Sequence, residues 1–223
     1  MITLIIMTDG RGEYLSESIN SLDNLRGDFT QLVIHDDSGD QAFTDWLRRT
    51  YGGDQFTICS TPGRSGFAGA YNSAWSWLRK NCENDWIFFT EDDFVYTRPV
   101  ELDKMITVME NNPKLVQLAL RRQPWNDVEA WFGGIVESRA NTYTDKTDGT
   151  NHWLEHRNFF TTNPSLIRTQ LIHDRDWIDE PESEGKFGWR LYSETDSVAG
   201  FWGSRESGEW CFHIGKNRIG TGY

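Results

Sequence analysis

Three consecutive carboxylates, Glu91, Asp92 and Asp93, stand at the end of an apolar and aromatic run in "WIFFTEDDFVY" (86–96). Carboxylates at the edge of a core are costly unless a donor or a cation meets them. The triplet therefore reads as a solvated turn or as a seat for a cation. Other polar clusters follow other apolar runs: Thr8, Asp9, Gly10 and Arg11 after the first, Asp36, Asp37 and Ser38 after the second, Arg64 and Ser65 after the third. Each alone suits a turn or helix cap. Four on one edge point to a ligand, because open α/β sheets bind ligands beyond the carboxyl ends of their strands.

The elements that must position these residues alternate. "ITLIIM", "QLVIHDD", "QFTICS", "WIFFT" and "KLVQLAL" read as strands. "GEYLSESINSLDNL" is a helix with Leu15, Ile19, Leu22 and Leu25 on one face. "AFTDWLRRTYG", "GFAGAYNSAWSWLRKNC" and "PVELDKMITVMENN", the last with Pro99 in its first turn, complete a βαβ rhythm. The expectation is an α/β fold with a mainly parallel central sheet flanked by helices. From Arg121 the pattern loosens into loops. Within that half "NPSLIRTQLIHD" reads as a helix opened by Asn163 and Pro164, and "GEWCFHIG" as a late strand.

The 223 residues suit one domain with a substantial core, and a net charge of -12 argues against a broadly phosphate-tracking surface, leaving only a local basic patch at Arg121 and Arg122. Cys59, Cys82 and Cys211 have neither disulfide-framework nor zinc spacing. No apolar run reaches the ~18–20 residues of a membrane span, and "MITLIIM" lacks a basic flank, so a soluble, unexported, cytoplasmic protein is expected. The 11 tryptophans fit core packing, and such rings also stack on sugar faces.

In order and spacing, "LIIMTDGRGEYLSESINSL", "VIHDDSGD", "GRSGFAGAYNSAW" and "FFTEDDF" resemble the opening strand and helix, the "VVDDGSxD", the "NxGxxxARNxG" and the DxD-type segments of family-2 glycosyltransferases. These are inverting, nucleotide-sugar-dependent enzymes with a GT-A fold. The resemblance covers about residues 3–100. It implies one GT-A domain over 1–223, with a nucleotide-sugar-binding half (1–120) and an acceptor-binding half (121–223).

Carried over by position, the resemblance puts Thr8 in the nucleotide pocket and Asp37 or Asp36 on the base, with uridine favoured. Arg64 falls near the base or diphosphate, Asp92 on the ribose, and Asp93 on a divalent cation. Mg²⁺ or Mn²⁺ suits such a site, held by one or two carboxylates together with diphosphate oxygens and water.

In the second half, "ESEGKFGWRL" resembles the family's "ED" base segment with Glu184 at the base position. Glu182, Glu194 and Asp196 are rivals. His213 in "CFHIGKNRIG" falls where GT-A enzymes complete the metal shell, Lys216 and Arg218 could reach phosphates, and Trp131 with Gly133 and Gly134 could form a sugar platform.

The sequence departs from the family in having Met7 for the usual proline and Glu91 for the first Asp of DxD, and it lacks "QxxRW". The acceptor stays open among a glycan, a lipid-linked sugar, a protein and modified nucleic acid. Alternatives are a sugar-nucleotide pyrophosphorylase, a non-catalytic nucleotide- or carbohydrate-binding module, and a DNA-base glycosyltransferase using Arg121, Arg122 and Arg139 as a basic rim.

Overall fold

The computed structural model describes residues 1–53 and 55–215. The elements in chain order are β1 (Ile2–Thr8), α1 (Gly12–Asn20), β2 (Leu25–Arg26), β3 (Phe29–Asp36), α2 (Gln41–Thr50), β4 (Thr57–Ser60), α3 (Gly66–Asn81), β5 (Trp86–Glu91), β6 (Phe94–Tyr96) and β7 (Val100–Glu101). They continue with α4 (Leu102–Asn111), β8 (Leu115–Ala119), α5 (Asp127–Phe132), β9 (Thr144–Thr147), β10 (His152–His156), β11 (Ser165–Arg168), α6 (Thr169–Asp174), α7 (Ser183–Glu194), β12 (Val198–Trp202) and β13 (Cys211–His213).

Nine strands form one sheet in the order β4-β3-β1-β5-β11-β8-β12-β10-β9. β11 and β10 run against the other seven, so the sheet is mainly parallel, as expected. β1 and β5 are buried along their whole length, which explains their continuous apolar runs. Alternation sends Leu4, Ile6 and Phe88 to the face covered by α1, α2 and α4, and Ile5, Ile87 and Phe89 to the face covered by α3, α6 and α7. Among the described residues no helix is long and apolar enough to cross a membrane.

Three expectations change. "NPSLIRTQLIHD" is not one helix: Ser165–Arg168 is the reversed strand β11, wedged between β5 and β8, and only Thr169–Asp174 is helical. Leu166 and Ile167 bury on opposite faces of the sheet, a demand that overrides their helical spacing. Pro99 precedes β7 rather than opening a helix, because Val100 and Glu101 pair with Leu25 and Arg26 and α4 starts only at Leu102. That pairing also takes Leu25 out of α1, which ends at Asn20.

On the α3 side an aromatic layer ties the helices to the sheet. Tyr71 stacks on Phe89 at 5.2 Å and on Trp177 at 5.0 Å, and Trp177 stacks on Phe187 of α7 at 4.9 Å. α7 closes on the chain at Gly188, where a Cβ would stand 2.5 Å from the backbone nitrogen of Phe160. Gly188→Ala will push α7 off this seat and cost about 1–3 kcal/mol of stability, read as a lower midpoint of urea unfolding at unchanged slope.

Candidate functional site

The carboxyl ends of β1, β3 and β5 gather the acidic residues singled out in the sequence. The side chains of Asp92 and Asp93 are fully buried. Thr8 Oγ1 donates to Asp92 Oδ2 at 2.6 Å. The Arg11 guanidinium spans both carboxylates: Nη1 donates to Asp93 Oδ2 at 2.6 Å, Nη2 donates to Asp92 Oδ1, and Nε lies 2.7 Å from Asp9 Oδ1. Arg64 extends the chain of charges, donating to the other Asp9 oxygen at 2.7 Å. Burial pushes the Asp92 carboxyl well up, against the pull of Arg11, and the neighbouring Asp93 adds to the rise.

β13 pairs with β6 and sets His213 opposite Phe94, with Nε2 3.1 Å from Asp93 Oδ2. The imidazole lies between Phe94, at 4.7 Å and 12°, and Trp125, at 3.9 Å and 24°. The side-chain amide of Gln123 clamps its backbone, donating to His213 O and accepting from His213 N, both at 2.8 Å. A Cβ on Gly215 would lie 2.2 Å from Asp93 Oδ2, so a side chain there would push the Asp93 carboxylate from its place.

These residues fit a divalent cation. A hard oxygen and an imidazole nitrogen converge, and a cationic side chain already sits on the same oxygen. Among the described residues no group of three or more His, Cys, Asp or Glu could cage a metal by itself.

Beside this edge opens a cleft of about 650 Å³, lined by Glu91, Glu184, His213, Trp125, Arg122 and Thr162 among others. Glu184 lies in the first turn of α7 and accepts from Thr162 N at 2.6 Å. Burial raises its carboxyl above the ordinary 4.5; the Thr162 N–H opposes the rise and the charge of Glu91 adds to it. Glu91 takes the strand face opposite to Asp92 and accepts from Tyr71 Oη at 3.0 Å. Of the four candidate bases, Glu184 alone lines the cleft. Glu182 is exposed with a left-handed φ of 61°, Glu194 pairs with Arg175, and Asp196 pairs with Lys114 at 2.6 Å.

The remaining sequence candidates fall as follows. Asp36 accepts from Ser38 N at 2.8 Å and Thr44 Oγ1 at 2.6 Å. Asp37 accepts from Thr61 Oγ1 at 2.8 Å and Gly66 N at 3.0 Å, and so caps α3 from outside the helix. Both are buried at the expected edge and hold its loops. Trp131 is 84% exposed on α5 and does not line the cleft. Lys216 and Arg218 lie outside the described residues.

Of the three arginines of the alternative basic rim, Arg139 is exposed and lines the cleft, while Arg121 and Arg122 are engaged within the chain. Arg121 is buried and donates to Ser204 O at 2.6 Å and Arg205 O at 3.0 Å, while Arg122 pairs with Glu129 at 2.7 Å. Glu129 also accepts from Trp125 N at 2.9 Å, which sets Trp125 over His213. Sequence reading missed Tyr71, Gln123, Thr162 and this use of Trp125. Arg11 carried a usable signal, as a basic residue at a strand end among carboxylates.

Because Glu91 raises Glu184 by like charge, Glu91→Gln will lower the Glu184 titration toward the ordinary value. Carboxyl ¹³C NMR checks this, and a Glu184 titration unchanged by the substitution would rule the coupling out.

The sequence matches Glycosyl transferase family 2 over residues 3–174. No curated protein sequence matches the chain. Solved structures share the fold. The mannosyltransferase PcManGT from Pyrobaculum calidifontis, in complex with GDP-Man and Mn²⁺, superposes with a TM-score of 0.65 at 12% identity, over 98% of this chain and 58% of its own. TarS 1-349 of S. aureus in complex with UDP-GlcNAc gives 0.60 at 16% identity, over 99% and 60%. The chain thus spans about three fifths of the length of these structures. With three quarters of its residues inside the family match and a sheet of the GT-A kind, the chain belongs to glycosyl transferase family 2.

Proposed function

We propose that the chain transfers one sugar, with inversion, from a nucleotide-sugar donor to an acceptor hydroxyl in a metal-dependent reaction, and that the donor is a UDP-sugar. One observation carries this reading: His213 reaches Asp93 on one side and lines the cleft on the other, and that cleft also holds Glu184. A candidate cation seat and a candidate base thus share one cavity. The solved relatives add support, since their structures hold GDP-Man with Mn²⁺ and UDP-GlcNAc.

In this reading Thr8, Asp36, Asp37 and Arg64 frame the nucleoside, and Asp92, steadied by Thr8, faces the ribose. Asp93 and His213 would hold Mn²⁺ or Mg²⁺, which when bound supplies positive charge to the departing diphosphate. Glu184, as carboxylate, takes the proton of the acceptor hydroxyl while its oxygen attacks the anomeric carbon from the face opposite the leaving group. The new C–O bond forms as the bond to the diphosphate breaks, and the nucleoside diphosphate leaves with that electron pair. The acceptor would lie in the cleft walled by residues after Arg121, as a glycan, lipid-linked sugar, protein or modified nucleic acid. The engagement of Arg121 and Arg122 within the chain weighs against the last.

A thermal-shift panel of UDP, GDP, TDP and CMP, each with and without Mn²⁺, tests the donor site. UDP at 100 times its dissociation constant will add about 2.7 kcal/mol of stability, only with metal, and Asp93→Asn or chelation will abolish the gain. No shift with any nucleotide would sink the donor reading.

Glu184→Gln will keep the nucleotide shift and lower turnover of the UDP-sugar by about 10²–10⁴-fold, the usual worth of a general base. Since the base must be ionised and burial raises its carboxyl, kcat/KM will fall as pH drops through a value above 4.5. An acid limb at or below that value would exclude Glu184 as the base.

A further inference from the structure

The metal reading leaves one residue unexplained. If a cation is to use Asp93 Oδ2, that oxygen is already engaged: Arg11 Nη1 donates to it at 2.6 Å, while the same guanidinium holds Asp92 and lies 2.7 Å from Asp9. We infer that Arg11 is, among the described residues, an internal counter-cation of the metal seat, holding Asp92 and Asp93 when no divalent cation is bound and yielding Asp93 when one binds. This inference rests on the metal-dependent reading and adds to it a residue that governs when the metal loads.

Three physical points carry it. The carboxylates are fully buried and adjacent, so without a cation they would repel one another in a medium that screens little. A guanidinium cannot relieve a clash with a second cation by losing its proton, so it must move. Finally, Arg11 has somewhere to go. Its side chain is 21% exposed, and Asp9, 38% exposed and held by Arg64 from the far side, can keep the guanidinium at the rim after Asp93 is released. There a diphosphate offers the two-pronged partner that guanidinium groups prefer.

The consequence is ordered loading. A cation arriving alone must displace Arg11, and binds weakly. A cation arriving with a nucleoside diphosphate brings the anion that takes up the displaced charge, so each tightens the other. Affinity couplings between ligands are typically about 5- to 150-fold, and Arg11 would account for a share of that size here.

The test is Mn²⁺ binding to the full chain without nucleotide, followed by the EPR signal of free Mn²⁺, for the native protein, Arg11→Gln and Arg11→Lys. Arg11→Gln will bind Mn²⁺ alone about 5- to 150-fold more tightly than native, and its gain from added UDP will shrink by the same factor. Arg11→Lys keeps the charge but not the fork, and will fall between the two. If Arg11→Gln fails to fold without metal, Arg11→Lys carries the test: Mn²⁺ alone will raise its Tm more than it raises that of the native chain. Native or weaker Mn²⁺ affinity in the variants, while the native chain binds Mn²⁺ with UDP, would overturn the role of Arg11 and leave the metal reading standing. Absence of Mn²⁺ binding in every protein, with and without UDP, would overturn both.

Discussion

Two adjacent aspartates buried at the end of a central strand impose the main constraint on this molecule. Asp92 and Asp93 follow β5, whose six residues are all buried, so water cannot meet their charge there. Everything around them answers that demand. β1 ends alongside in parallel register and delivers Thr8 and then Arg11. β6 begins directly after Asp93 and pairs with β13 from far along the chain, and β13 brings His213. The segment beyond passes so close to Asp93 that a side chain at residue 215 would displace its carboxylate. The carboxylates thus explain why distant stretches of sequence meet at one point.

Much of this was legible because apolar strands that end in polar residues leave a plain mark. Thr8, Arg11, Asp36, Asp37, Asp92 and Asp93 all stand just past such runs, and the structure brings them to one edge. The reversed strand β11 was not legible: Leu166 and Ile167 are spaced for a helix as well as for a strand, and only the gap between β5 and β8 decides. The roles of Asp36 and Asp37 were half legible. Their position follows from the strand, but the donors they meet, Thr44 and the start of α3, come from elements whose packing no local pattern specifies. The aromatic sandwich of His213 was hidden for the same reason, since Trp125 and His213 are far apart in sequence and joined through Gln123 and Glu129.

The cleft has a floor and a wall of different character. Its floor carries Glu91 at the end of β5, which accepts from Tyr71 Oη, and Tyr71 in turn stacks on Phe89 and Trp177. Its wall carries Glu184 on a helix that stands on Phe187 and touches the backbone of Phe160 through a bare glycine. Trp75, Trp86, Trp153, Trp177 and Trp202 are buried, so part of the tryptophan content serves this packing. Rings of this size leave few alternative arrangements, and a carboxylate mounted on them keeps its place without direct anchoring to the sheet.

β8 and β11 are neighbours in the sheet, Ala119 pairs with Ser165, and Leu120 N donates to Pro164 O at 2.8 Å. The forty or so residues between leave and return at almost the same point. They carry the Arg122–Glu129 pair, Trp125 and much of the cleft wall, and they add β9 and β10 to the far edge of the sheet. A closed excursion of this kind can change length at a cost that grows only with the logarithm of its size. It therefore behaves as an exchangeable cassette: one contiguous stretch of the cleft wall can be rewritten while the strands that seat Asp92 and Asp93 keep their register.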